Sequence, residues 1–481
     1  MSEPPIIVWF RQDLRTVDQP ALAAASATGQ PVLPLYILDD ETPGAWKLGG
    51  ASRWWLAESL TALGRGLERL GAPLLLRRGV AADVLAQLVR EVDASAVYAV
   101  AHTEPFWHRA EVDAERALGA RNVAFRRFDG RTLFHPGRIL TNQGTPYKVF
   151  TPFWKSLRAN CVPEAPQPAP DALHPVNPMP DGDALDDWSL RPAKPDWAGG
   201  LRETWTVGEA AAADRLADFL DNDLAGYGDG RNHMGRNSTS CMSPHLHWGE
   251  ISPRQLWHAV RHAIDSEPVL SKGGEAYLRE IGWREFYANV LVDVPTLPDK
   301  PMNERFADFA WADDDDGLAA WQKGRTGYPI VDAGMRQLWY TGWMHNRARM
   351  IVGSFLVKDL RLPWRLGEAW FWDTLVDADL ANNAGGWQWV AGCGTDAAPY
   401  FRVFNPVGQG ERYDSNGAYV RRWVPELAGL PDQHIHKPWQ APPLELEAAG
   451  VRLGKTYPEP LVDHGKARAR ALAAYEKVKG D

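Results

Sequence analysis

At 481 residues the chain is too long for one ordinary hydrophobic core, so two domains joined by a connector are expected. The composition is that of a globular protein, and no long uncharged apolar run suggests a membrane span. A formal charge of -9 argues against nucleic acid in the far field, yet a local basic groove can sit on an acidic protein.

The N-terminus, MSEPPIIVWF followed by Arg11, has a short apolar run with no basic segment before it, so a signal peptide is not expected and a cytoplasmic location is the default. From residue 5 to about 130, short apolar runs alternate with helical stretches. Strands are predicted at Ile6–Phe10, Val32–Leu38, Leu74–Arg77, Ala96–Ala101 and Val123–Phe128, with helices such as Ser52–Leu70 and Ala81–Val92 between them. Such alternation implies right-handed crossovers and an α/β doubly wound parallel sheet over residues 1–130. No GxGxxG follows the first strand, so this domain is not expected to bind a dinucleotide in the usual way.

Residues 131–204 read as a connector, and their Pro- and Asp-rich part from about 161 to 200 is expected to wrap the surface. Residues 205–475 read as an all-α domain. Within it, after a glycine-rich loop over Gly226–Gly235, Thr239–Ser243 (TSCMS) gathers hydroxyls that suit a phosphate or a helix cap. On a helix spanning Tyr277–Leu291, Glu280, Trp283 and Arg284 share one face. The run Asp313–Asp316 lacks the spacing of a calcium loop and is expected to be a solvated loop. A single helix is predicted over Val331–Asp359, carrying Asn346, Arg347, Arg349 and Met350; its arginines need partners if buried, and Asp377 and Asp379 stand nearby in sequence.

Two counts sharpen the reading. The three cysteines (Cys161, Cys241, Cys393) form no CxxC, which argues against a disulfide framework and against a zinc or iron–sulfur site, and no metal is expected. The 23 tryptophans are mostly packing, but their density in one half of the chain suggests stacking or electron transfer.

Several long segments resemble the photolyase and cryptochrome family in order and spacing: WFRQDLR, RNSTSCMSPHLHWGEISPRQ, EIGWREFY, GYPIVDAGMRQLWYTGWMHNRARM, WFWDTLVDADLANNAGGWQW and GTDAAPYFRVFNP. The resemblance covers essentially the whole chain. It implies an N-terminal α/β antenna domain and a helical domain that binds FAD, reduced in the working form, in a bent conformation. Cofactor contacts are implied for Tyr227, Thr239, Ser240, Met242, Ser243, Glu280, Arg284, Asn346, Arg349, Asp377, Asp379 and Asn383. Arg349 and Asp377 would pair beside the flavin ring, and Asn383 would face its N5, where a carboxamide can bond in more than one redox state.

The resemblance further implies that a damaged dinucleotide is flipped out of UV-damaged DNA, an action for which photolyases are a standing example. Glu280, Trp283, Asn346, Met350 and Trp389 would meet the lesion, and Arg231, Arg347 and Arg402, with both tryptophans, would hold the DNA. Trp311, Trp364 and Trp387 match an electron-delivering chain. Asn346 and Met350 stand where relatives that repair six-four photoproducts carry histidines, which favours cyclobutane dimers. The alternative is a cryptochrome photoreceptor, disfavoured by Asn383 and by the chain's ending soon after the last matching segment. An ordinary flavin oxidoreductase would want the missing dinucleotide fingerprint.

Two positions depart from the family pattern. Cys241 stands where many relatives have arginine, and Phe106–Trp107 where folate-binding relatives have an Asn–Glu pair. The expected antenna is methenyltetrahydrofolate, with a deazaflavin or flavin nucleotide as alternatives. A monomer without membrane association is expected.

Overall fold

The computed structural model describes residues 3–397 and 401–479, and the chain divides into two compact units. The first takes residues up to 225 with 240–295 and 376–381; the second takes 226–239, 296–375 and 382 onward. Residues 398–400, inside the GTDAAPYFRVFNP motif, lie outside the described residues.

In the first unit, β1 (Ile6–Phe10), β2 (Val32–Leu38), β3 (Leu75–Arg78), β4 (Ala96–Val100) and β5 (Ala124–Phe128) form one parallel sheet in the order β3-β2-β1-β4-β5. The expected strands agree with these to within a residue at each end. Every residue of β1, β2 and β4 is buried, as parallel strands covered on both faces should be. Helices Gly50–Arg69, Ala81–Val92 and Pro105–Gly119 alternate with the strands. Leu85, Leu88 and Leu118 from the last two pack with Ile7, Trp9, Leu35 and Val97 of the sheet. Pro34 lacks a donor, and β3 pairs with β2 only from Leu35 onward, so the proline sits just beyond that ladder.

The strand order reverses between β1 and β4, the place where open α/β sheets usually leave a ligand crevice. Here it is filled. The Arg11 guanidinium lies 4.2 Å over the Trp9 ring, pairs with Glu111 at 2.7 Å and donates to the Val100 carbonyl, while Arg11 itself is 1 % exposed.

The Pro-rich connector does more than wrap the surface. The Val32 N–H donates to the His174 carbonyl at 2.7 Å and the Asp183 N–H to the Leu76 carbonyl at 2.9 Å, so the segment adds backbone bonds beside β2 and β3. Farther along, Ser252 and Gln255 form a reciprocal capping box that starts the Pro253–Ser266 helix. The expected 277–291 helix is part of a longer one, Ser271–Asp293.

The second unit is helical. The single helix expected over Val331–Asp359 is in fact broken: Pro329–Thr341 ends, Asn346–Ser354 begins, and a π-helical turn covers Phe355–Asp359. Gly342 is the cause, because its φ of +65° is a left-handed C-cap that stops the first helix. The Asp run is likewise only partly a loop. Asp314 caps the Asp315–Gln322 helix by accepting from the Gly317 N–H at 2.8 Å, and the next two aspartates lie in its first turn, where the helix dipole favours them.

Candidate functional site

In the first unit, the long Ser271–Asp293 helix carries Glu280, Trp283 and Arg284 on one side. Trp283 lies flat against Phe150, with ring centroids 3.7 Å apart and planes 8° from parallel, and Tyr287 stacks more loosely at 5.9 Å. An indole held in such a column is a rigid platform whose position costs little further entropy to use. Arg284 donates to the Arg131 carbonyl at 2.7 Å; burial, with the neighbouring Arg131 charge, lowers its pKa. Glu285, the next residue, is 1 % exposed and accepts from the Leu133 N–H at 2.9 Å. Burial pushes its pKa up to about 7 against the opposing pull of Arg284.

The TSCMS segment enters the short Ser243–Trp248 helix through Cys241, which takes a left-handed φ of +51°. Ser240 bonds the buried Tyr277 hydroxyl and accepts from the Met242 N–H, Met242 is buried, and Ser243 is exposed at the helix start. Cys241 thus bends the backbone between the Thr239 and Ser240 hydroxyls on one side and that of Ser243 on the other. Trp248 fastens the 376–381 segment by donating to the Val376 carbonyl at 3.0 Å, which locates Asp377 and Asp379 in this unit.

In the second unit, Tyr227 is buried in a short helical turn, with the Arg231 guanidinium 5.5 Å over its ring. Thr239 is half-buried. Asn346 stands exposed at the start of its helix because His345 is the N-cap: His345 Nδ1 accepts from the Arg347 N–H at 3.0 Å. Burial and the Arg347 charge lower the His345 pKa to about 4, so the ring is neutral near pH 7 and can accept. Arg347 bonds Asn232 and lies 4.3 Å over the Tyr413 ring, and Arg349 donates to the Met344 carbonyl at 2.8 Å. Met350 is half-buried one turn beyond Asn346, and Arg402 is exposed.

The Leu380–Ala391 helix bears Asn383, Trp387 and Trp389. Asn383 is buried, and its Nδ2 donates to the Glu368 carbonyl at 3.0 Å, which fixes the amide's orientation. Trp389 donates to the Asp396 carbonyl at 3.1 Å. Trp387 packs against Phe371 at 4.9 Å and Trp321 at 6.1 Å. Its ring also presses on the backbone of Gly367 in the Trp364–Thr374 helix, where an added Cβ would stand 2.1 Å from Trp387 Cη2. Trp364, also buried, begins that same helix, and Trp311 meets Phe309 at 4.5 Å.

Sequence reasoning missed one group in the first unit. Arg131, 5 % exposed, donates to Glu104 at 3.2 Å and lies 3.9 Å from Asp379. His247 is buried beside it; burial lowers its pKa to about 4, and its Nδ1 has no partner among the described residues. An arginine in FDGRTLF and a histidine in SPHLHWGE give no sign in sequence that they will meet.

The residues present suit FAD. Hydroxyls at a helix start match a diphosphate, and two carboxylates on the 376–381 segment match a polar ring edge; in the second unit, Asn383 offers a buried, oriented carboxamide. The orphan His247 Nδ1, whose Nε2 lies 3.3 Å from the Gln12 amide nitrogen, leaves an unused N–H in the network that holds Asp379. Among the described residues, no three His, Cys, Asp or Glu side chains are grouped to hold a metal.

A family model described as DNA photolyase matches residues 6–171, and one described as the FAD binding domain of DNA photolyase matches residues 277–477. The chain is 49% identical over 479 residues to a deoxyribodipyrimidine photo-lyase of Agrobacterium fabrum, covering 100% of this chain and 99% of that protein. It is 38% identical to cryptochrome-1 of Arabidopsis thaliana, covering 98% of this chain and 70% of that one. Among solved structures, a bacterial class III photolyase from Agrobacterium tumefaciens superposes with a TM-score of 0.96 at 48% identity, covering 100% of this chain and 98% of that one. With its parallel-sheet N-terminal region, its helical C-terminal region and likeness along its whole length, the chain belongs to the photolyase and cryptochrome family.

Proposed function

We propose that this protein repairs cyclobutane pyrimidine dimers in DNA under blue light, using FAD. The reading rests above all on its full-length identity to a deoxyribodipyrimidine photo-lyase, with the expected site residues present. Bound and reduced, FAD would supply light-driven, redox-neutral electron transfer for opening the dimer.

The chain's own residues bind, orient and exclude water. Tyr227, Thr239, Ser240, Met242 and Ser243 would hold the cofactor's diphosphate side. Arg284, Arg349, Asp377, Asp379 and Asn383 would line its ring, Asn383 with its amide already turned by Glu368. Trp283 and Trp389 would stack on a flipped dinucleotide, Trp283 held in position by its packing against Phe150. Glu280, Asn346 and Met350 would meet the lesion, Glu280 bonding the pyrimidine carbonyls where negative charge develops. Arg231, Arg347 and Arg402 would hold phosphates and position the strand without reading sequence. Trp311, Trp364 and Trp387 would carry an electron inward when the flavin is oxidised.

A second chromophore, methenyltetrahydrofolate, would widen light capture. The protein would act as a monomer in the cytoplasm, and among the described residues no helix is long and apolar enough to cross a membrane.

The decisive experiment illuminates purified, flavin-reduced protein with an oligonucleotide carrying one thymine dimer. Repair in blue light and none in the dark is expected. Intact dimers despite a light-responsive flavin would replace this reading by the photoreceptor one.

A further inference from the structure

The Arg131 guanidinium is pinned on two sides. Its Nη1 donates to the Gln12 carbonyl at 2.7 Å and to the His247 carbonyl at 2.6 Å, which fixes the plane of the group. Its Nη2 is thereby directed at two carboxylates, Glu104 Oε1 at 3.2 Å and Asp379 Oδ2 at 3.9 Å. Glu104 is anchored in turn: His102 Nδ1 lies 3.2 Å from its other oxygen. Burial, with the Arg11 charge, lowers the His102 pKa to about 3, so His102 is neutral and Nδ1 carries the proton it donates. Burial alone would raise the Glu104 pKa, but Arg131 and the His102 bond outweigh it and keep the carboxylate ionised. A buried arginine is tolerated only when its charge is answered. Here the answer comes from one carboxylate locked after β4 and from another on the segment that precedes the Asn383 helix.

We propose that Arg131 is a positioning residue for the flavin: tethered by Glu104, it holds the Asp379 carboxylate in place and offsets its charge, and so biases bound FAD toward its reduced form. The inference rests on the reading that Asp379 lines FAD. Reduction adds negative charge to the flavin, and a cation beside a carboxylate at the ring's edge lowers the cost of that charge. Glu104 sets how much of the Arg131 charge is left over for Asp379.

The test is a spectroelectrochemical titration of the FAD-loaded full chain against a reference dye, comparing wild type with Arg131→Met, Arg131→Lys, Glu104→Gln and Asp379→Asn. Arg131→Met should raise the ratio of oxidised to reduced flavin at least tenfold at a fixed potential. Arg131→Lys, which keeps the charge, should stay within threefold of wild type. Glu104→Gln should move the ratio the opposite way, and it tests the idea even if Arg131→Met fails to fold. An unmoved ratio in Glu104→Gln, or in folded Arg131→Met, while Asp379→Asn shifts it, overturns the role of Arg131 and leaves the FAD site standing. If Asp379→Asn changes neither the ratio nor flavin affinity, the site reading itself fails and this inference with it.

Discussion

Replacing Gly367 by alanine should have opposite effects on stability depending on what stands at residue 387. In the wild-type chain the new Cβ would lie 2.1, 2.4 and 2.6 Å from three atoms of the Trp387 six-membered ring, well inside van der Waals contact. Overpacking of this kind costs about 1–3 kcal/mol. Alanine also gains about 1 kcal/mol of helix propensity inside the Trp364–Thr374 helix, so the net loss should be about 0–2 kcal/mol, with Trp387 displaced. In a Trp387→Phe background the clashing atoms are gone, the propensity gain is left alone, and Gly367→Ala should stabilise by about 0.5–1 kcal/mol. Denaturant unfolding followed by circular dichroism on all four proteins closes the cycle, with a coupling of at least about 1 kcal/mol expected. Gly367→Ala changing stability equally in both backgrounds would refute the close approach of helix and indole.

Other outcomes follow from the same geometry. Trp387→Phe should slow photoreduction of oxidised flavin yet leave repair by pre-reduced protein nearly normal, as single-turnover absorbance would show. Glu280→Ala should lower the repair yield with FAD still bound; loss of flavin would instead move that residue to the cofactor. Removing the Arg347 or Arg402 charge should weaken DNA binding for all sequences and reduce the slope of log affinity against log salt by about 1 each. Glu285, with a folded pKa of about 7 above its unfolded value, favours the fold while protonated. Its contribution is full below about pH 4.5 and is lost as pH rises through 7. Glu285→Gln should therefore flatten that decline. His247, held near 4, contributes in the opposite sense, since its stabilising neutral form is lost as pH falls from about 6.5 to 4, so the difference between variant and wild-type profiles is the quantity to read.

The sheet was readable because β1, β2 and β4 are continuous apolar runs bounded by helical patterns, a signal carried within five to seven residues. The break at Gly342 was not, since an isolated glycine in a helical pattern is as often tolerated as terminal and only its left-handed φ decides. The expected cofactor and lesion contacts rest only on long motifs of the family; the chemistry of Glu280 or Asn346 alone fits an ordinary surface equally well. Arg131 escaped even that reading. Its partners Gln12, Glu104, His247 and Asp379 are scattered over most of the chain, and no local pattern encodes a meeting set by the fold.

The arginine lodged between β1 and β4 bears on what that reversal can hold. A sheet of this topology ordinarily offers its berth for a flat heterocycle at that reversal, and here a guanidinium sandwiched among Trp9, Trp107 and Glu111 has taken it. A planar guest could settle on the face of Trp9 that Arg11 covers only by dislodging the guanidinium and breaking its pair with the buried Glu111.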